Sequence, residues 1–279
     1  MPTTPRRAWR ALLTPTWLVG HALALAVVVA FSAFGAWQFD RHGQRSERNT
    51  LLAERLAAPH VSLQQALALA ASEPARDDAA GVGSGLDPLD YRRVRVSGRF
   101  EPDYEVLRRP VSRDGVPGYH VVTPLLLADG SAVLVERGWV PQQFDQVPVE
   151  AAPPPAGTVT LDAWAFPGET PPTGPLAALA PRDPPQGSLT QVAYVDLERL
   201  AAQVPYPLQP LRLLLEQAPG VPADGGLPRA PRPPELTSGP HLGYALQWYS
   251  FVAITVVGYG ALLRHRLREA TASATGSRS

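Results

Sequence analysis

The 279-residue sequence contains no cysteine and no lysine, and its 25 arginines balance 25 acidic residues. Without cysteine the chain has no disulfides, no thiolate ligands for zinc or iron–sulfur clusters and no covalent attachment of a c-type haem. A net charge of zero indicates no general basic surface for nucleic acid, so nucleic acid is not an expected partner. The functions that remain depend neither on thiols nor on a strongly charged protein.

Charge is also missing locally, from two long stretches of the chain. Residues 11–39 and 236–263 hold no charged side chain, and their apolar parts, 16–39 and 241–263, have the length of about 20 residues that a bilayer core requires. The sequence therefore predicts two transmembrane helices. A cleaved signal peptide is the alternative for the first, but this stretch exceeds the usual apolar region of about 7–15 residues and continues into Trp37 and Phe39.

Arginines flank both apolar stretches on the side away from the middle of the chain. Residues 1–15 and 264–279 together carry seven arginines and one glutamate, whereas residues 40–240 carry 18 arginines and 24 acidic residues, a net charge of −6. Because basic residues stay on the cytoplasmic side of a membrane, we expect both tails inside and residues 40–240 outside. This describes a two-span protein of the bacterial plasma membrane, in contact with the lipid bilayer.

The first part of the outer segment, residues 40–90, has helical spacing followed by a linker. A helical pattern over 47–58 stops at Pro59, and Ser62 is a plausible N-cap for a second helix over 63–71. Residues 72–87 read as a linker. Its GVGSG run at 81–85 lacks the preceding strand and following helix of a phosphate-binding loop.

Residues 91–217 change to the period-two pattern of β-strands. Asp129-Gly130 separates two of these runs and predicts an antiparallel hairpin. A short helix is expected over 196–203, and the proline-rich residues 218–240 are expected to form a semi-rigid tether. The predicted fold is α+β, with an antiparallel β-barrel or sandwich between the two membrane helices. The seven predicted strands are 91–100, 104–109, 119–127, 131–140, 158–166, 191–195 and 211–217.

Polar and aromatic side chains gather at the outer ends of the two predicted membrane helices. Helical spacing places several of them on one face of each helix, and with both tails inside the two faces reach the same membrane level. Ionisable groups at such a position favour a functional role. These candidate side chains are Trp37, Gln38 and Arg41 in the first helix and His241, Tyr244 and Trp248 in the second.

Imidazole is a common protein ligand of haem iron, so His241 is a candidate axial ligand. Tyr244 and Trp248 would flank the porphyrin, and the Arg41 guanidinium would pair with a propionate. Two simpler interpretations stay open: His241 contacts lipid headgroups or the β domain, and Arg41 extends to the membrane surface to orient its helix.

Recognisable enzyme motifs are missing from the sequence. The best polar set for an enzyme, His120 with Arg137 and Asp129, has no known catalytic spacing. A membrane-anchored binding module or scaffold is a second alternative.

The order of these elements and several local motifs resemble the surfeit-locus-one family of cytochrome c oxidase assembly factors. Glu136 departs from the asparagine that the family often has before Arg-Gly-Trp. The matching motifs are Gly35, Trp37, Gln38 and Arg41, then 91–94 and 98–100, Gly115, 118–124, Gly130, 134–141, and HLGYALQW at 241–248.

The resemblance implies a non-enzymatic biogenesis factor that assists the large catalytic subunit of cytochrome c oxidase as it acquires haem a. It also implies that haem a synthase is a further partner, that haem a is bound transiently, and that the histidine at the start of the second helix, His241 here, is its iron ligand. A scaffold that holds the subunit without touching haem is the remaining alternative.

Reporter fusions test the predicted orientation. A reporter fused after Arg268 is expected to be active in the cytoplasm, and one inserted within residues 72–85 outside it, because the arginine-rich tails stay inside. Two cytoplasmic signals would contradict the charge argument.

Overall fold

The computed structural model describes residues 12–72, 86–217 and 226–276. Most of the predicted linker at 72–87, namely residues 73–85 with the GVGSG run, lies outside the described residues, as does the first part of the predicted tether, 218–225. The described chain divides into a helical unit, residues 12–49 with 237–276, and a β unit, residues 50–236. The helices are α1 Pro15–Ala57, α2 Leu63–Ser72, α3 Leu197–Ala201 and α4 His241–Gly276.

Helices α1 and α4 are both long and apolar enough to cross a membrane. Only 6% of the most apolar stretch of α1 and none of that of α4 is buried, which is unlike the core helix of a soluble protein. The two helical segments predicted at 16–39 and 47–58 form one continuous helix, since no proline interrupts them before Pro59.

The β unit contains one eight-stranded sheet, with the order β1-β2-β6-β8-β5-β4-β3-β7. All seven predicted strands are present, and the two-residue β1 is additional. The strands are β1 Val61–Ser62, β2 Arg92–Phe100, β3 Val106–Arg113, β4 Val116–Leu126, β5 Ala132–Pro141, β6 Thr158–Phe166, β7 Gln191–Val192 and β8 Leu208–Gln217.

The sheet is mixed, so the prediction of a wholly antiparallel domain was wrong. Three pairings are parallel: β1 with β2, β3 with β7, and β5 with β8. The predicted hairpin between β4 and β5 is antiparallel, and Gly130 in its turn has φ +83°. Period two identifies a strand but not the direction of its neighbour, which is set by the path of the long connections.

One extra pairing joins strands that are distant in this order. Strand β2 pairs with β4 at Arg99 and Phe100, so that β2, β6, β8, β5 and β4 form a closed ring of pairings. Gly98 permits the close approach, because a Cβ atom there would lie 2.6 Å from the backbone oxygen of Leu126. Packing therefore explains the glycine of the Gly98-Arg99-Phe100 motif.

The main hydrophobic core is formed by alternate residues of these ring strands and by α2. On β8, for example, Leu211, Leu213 and Leu215 are at most 1% exposed. Ser62 caps α2 as predicted: its hydroxyl accepts from the Gln65 backbone N–H, and the Gln65 side chain accepts from the Ser62 N–H. This reciprocal cap fixes where α2 begins.

Two segments predicted as linker or tether are attached to the β unit. At the end of the predicted linker, Leu86 is buried and the Arg55 side chain donates to the Asp87 carbonyl. In the predicted tether, Arg229 and Trp139 exchange two backbone hydrogen bonds of 2.8 Å. A proline-rich composition does not reveal this bridge to β5, and the semi-rigid tether stays a prediction.

A buried ion pair lies inside the β unit. The Arg137 guanidinium donates to Glu105 at 2.6 Å and to the Thr123 hydroxyl at 2.7 Å, and both charged side chains are at most 3% exposed. The second Glu105 oxygen accepts from the Val149 N–H at 2.8 Å. These bonds satisfy charges that burial would otherwise make very unfavourable.

Replacing Arg137 by alanine should strongly destabilise the protein, because it leaves the Glu105 carboxylate buried without its partner. We expect the free energy of unfolding to fall by about 3–5 kcal/mol in a urea titration of the detergent-solubilised protein, followed by tryptophan fluorescence. Arg95→Ala removes the exposed pair with Asp162 and serves as the control, with little expected change. Equal losses in both variants would contradict the prediction.

Candidate functional site

Helices α1 and α4 pack against each other in antiparallel order. Near the start of α1, Trp17 lies beneath the Arg266 guanidinium of α4. Further along α1, Phe34 meets Trp248 near the start of α4, with ring centroids 5.1 Å apart. A Cβ atom on Gly35 would meet the Tyr249 ring at 3.0 Å, so glycine allows the helices to come close. The packing sets which residues face each other at both ends.

Gln38 and His241 meet at one end of this helix pair. The His241 Nδ1 atom lies 2.8 Å from Gln38 Oε1, although 203 residues separate them in sequence. An amide oxygen only accepts hydrogen bonds, so Nδ1 carries the hydrogen and donates it. In the neutral ring the other nitrogen, Nε2, then presents a lone pair.

The surroundings of Nε2 fit a metal-ligand nitrogen. Among the described residues Nε2 has no hydrogen-bond partner, whereas Nδ1 is engaged as it is in most metal-binding histidines. Gly239 lies beside it with φ +68°, and a Cβ atom there would lie 3.4 Å from Nε2. The missing side chain leaves this edge of the imidazole accessible, so the residues present are compatible with a haem iron ligand.

The other four candidate residues are placed differently from one another. Trp248 packs in the seam with Phe31 and Phe34, whereas Tyr244 and Trp37 are about half exposed, at 49% and 52%. Arg41 lies one turn beyond Gln38 and donates to Gln44 at 3.3 Å. The structure thus brings Gln38 and His241 into contact and places Trp248 in the same seam, but it shows no direct bond from Arg41 to His241.

A second histidine at the other end of the seam has no free nitrogen. His21 Nε2 donates to the Leu12 carbonyl at 3.0 Å, and Nδ1 accepts from the Tyr259 hydroxyl at 2.6 Å. Sequence reasoning did not anticipate this interhelical bond. Tyr259 lies 18 residues after His241 on α4, and His21 lies 17 residues before Gln38 on α1. In an antiparallel pair these similar distances bring Tyr259 level with His21, and this spacing is the only sequence signal for the bond.

The polar set considered for an enzyme is not assembled. Asp129 caps its own turn through Ser131, Arg137 is bound to Glu105, and His120 Nδ1 donates to Glu136 at 2.9 Å. No group of three His, Asp or Glu side chains suited to a metal occurs in the part of the chain that the structure describes.

Glu136 is the centre of a second buried charge network, which sequence reasoning missed. Burial acts to raise its pKa, but the hydrogen bond from His120 and the charges of Arg212 and Arg108 outweigh burial and hold the pKa at about 2. Glu136 is therefore a carboxylate at neutral pH, and its three partners link strands β3, β4 and β8 to β5. This gives the residue that departs from the family motif a structural role.

Comparison with known proteins identifies the family. The SURF1 family model matches residues 25–253, which include both partners of the Gln38–His241 bond. The chain belongs to the SURF1 family. One relative is an uncharacterized SURF1-like protein of Mycobacterium bovis, which is 31% identical to this chain over 280 residues. The match covers 96% of this chain and 92% of that protein. Another, of Monosiga brevicollis, is 28% identical and covers 86% of each chain.

Membership of the SURF1 family confirms the resemblance inferred from the motifs. The SURF1 family is a family of cytochrome oxidase assembly factors and is not typically catalytic. A shorter match to a SURF1-like protein of Rickettsia bellii, 26% identical, covers 41% of this chain. Family membership thus connects the chain with cytochrome oxidase assembly in general.

Chemical cross-linking tests the helix seam. With no native cysteine, a Phe34→Cys, Trp248→Cys double variant should be cross-linked within one chain by a short bis-maleimide, since these side chains touch. A matched Trp37→Cys, Trp248→Cys variant should react much less, because Trp37 lies outside the seam. Adding Gly35→Leu should reduce the first yield by forcing the helices apart, and a similar yield from all three would contradict the packing.

Proposed function

We propose that this SURF1-family chain assists assembly of haem-copper cytochrome c oxidase by holding haem a transiently, with His241 as an axial ligand. Its partners would be the catalytic subunit, as acceptor, and haem a synthase, as donor. We further propose that the chain lies in the bacterial plasma membrane with both tails in the cytoplasm and the β unit outside.

The observation that carries the proposal is the state of the His241 ring. Gln38 holds Nδ1, Gly239 leaves the Nε2 edge accessible, and no described residue uses the Nε2 lone pair. His21, by contrast, uses both ring nitrogens in hydrogen bonds. When bound, haem a would supply an iron that accepts an imidazole nitrogen.

Neighbouring side chains can bind the rest of such a molecule. Arg41 has further N–H donors beyond the one that Gln44 accepts, and guanidinium groups pair well with carboxylates such as propionates. The half-exposed rings of Tyr244 and Trp37 offer accessible apolar surface. Without cysteine no thioether can form, so the residues present would hold the molecule reversibly.

Purification from cells that make haem a tests the proposal. The wild-type protein should carry haem a, seen in its absorption spectrum and in the haem extracted per mole of protein. His241→Ala should lose most of it, because the axial ligand is removed, and oxidase yield should fall in cells that carry only this variant.

His21→Ala is the matched control, because it removes a membrane-helix histidine whose nitrogens are both engaged. It should keep its haem a wherever the protein remains folded, as judged by the cross-linking yield of the Phe34–Trp248 pair. Equal haem content in the wild type and His241→Ala would overturn the ligand assignment. A wild type that carries no haem a yet supports normal oxidase yield would favour a scaffold instead.

A further inference from the structure

We propose that Gln38 is a positioning residue for His241, which selects the tautomer with hydrogen on Nδ1 and keeps Nε2 a ligand of moderate strength. This inference rests on the proposed function and assigns Gln38 a role different from direct contact with haem. Gln38 lies on α1 and the ligand His241 on α4, and Gln38 acts only through the imidazole ring of His241.

The geometry makes Gln38 a fixed partner. The bond to Nδ1 is 2.8 Å long, and both side chains are half-buried where the helices meet. On α4, Ala245 is only 1% exposed one turn further along, and on α1 Gly35 packs against Tyr249. These contacts hold the two backbones close, so Gln38 reaches His241 without help from another side chain.

The chemical character of the acceptor matters as much as its position. A histidine that binds a metal usually donates its other N–H to a carboxylate, a carbonyl or water, and this partner fixes the tautomer and raises the basicity of the ligand nitrogen. A neutral amide accepts more weakly than a carboxylate, because it carries no full charge. Gln38 therefore orients His241 while adding less donor strength than aspartate or glutamate would.

No carboxylate among the described residues takes this place. Asp40, two residues after Gln38, accepts instead from Gln44 at 2.8 Å, and Gln44 in turn accepts from Arg41. The only hydrogen bond to the His241 ring from the described residues is that of Gln38. A ligand held this way suits a protein that must release what it binds to an acceptor.

The tautomer can be tested without haem. In the full-length protein labelled with ¹⁵N-histidine in detergent micelles, we expect the His241 signals of neutral imidazole with the hydrogen on Nδ1. Gln38→Leu, which has a similar size but no acceptor, should shift the signals toward the commoner form with hydrogen on Nε2. His241→Ala assigns the signals, and Gln44→Leu, an amide on the same helix that does not contact histidine, should leave them unchanged.

The loaded protein gives a second measurement. Gln38→Leu should bind haem a about 10–100-fold more weakly, as expected when the partner of a ligating histidine is removed. Gln38→Glu should lower the midpoint potential of the bound haem and slow its release, because a carboxylate makes Nε2 a stronger donor. Gln44→Leu should match the wild type in midpoint potential, because Gln44 does not contact His241.

The outcomes separate this inference from the proposed function. If His241→Ala loses haem a while Gln38→Leu keeps the wild-type tautomer, affinity and potential, the role of Gln38 is wrong and ligation by His241 stands. If His241→Ala keeps its haem a, the ligand assignment fails. Unchanged histidine signals in Gln38→Leu overturn the role of Gln38 even in a preparation without haem.

Discussion

Two interhelical hydrogen bonds, one at each end of an apolar seam, fix the register on which the candidate site depends. For helices that cross a bilayer, as proposed for this pair, the hydrophobic effect contributes little, because lipid tails are as apolar as leucine, and close packing and polar bonds would hold the pair together. Gln38 with His241 and Tyr259 with His21 supply those bonds, and aromatic rings fill the space between them. About 17 residues of helix, roughly 26 Å, separate the two bonds.

Local pattern was sufficient to predict most elements of the β unit but not how they pair. Alternation identified β8 through Leu211, Leu213 and Leu215, and Asp129-Gly130 located the hairpin of β4 and β5. Whether β8 lies parallel or antiparallel to β5 depends on contacts between distant segments, to which a period of two is insensitive. Gly98 was visible as a motif residue, but its reason, the approach of β4, belongs to the assembled sheet.

For the candidate site too, the sequence identified the residues but not their contacts. Helical spacing and the end of each uncharged stretch singled out Gln38 and His241 separately, because they are polar groups where an apolar helix ends. Their hydrogen bond follows from the register of α1 against α4, which no local pattern contains. Likewise, no sequence pattern shows that His241 has one engaged ring nitrogen and His21 has two. Arg41 follows Gln38 by one helical turn, and the partner that the structure gives it is Gln44.

The unbroken antiparallel register also limits how the lengths of the two helices can vary. An inserted or deleted residue between Phe31 and Gln38 would rotate everything beyond it by about 100° around the axis of α1. Gln38 would then leave the seam, and His241 would lose its acceptor, although no residue of the site had changed. Side chains facing outward from the helix pair can be exchanged one for another, but the count of residues between its two polar ends must stay constant.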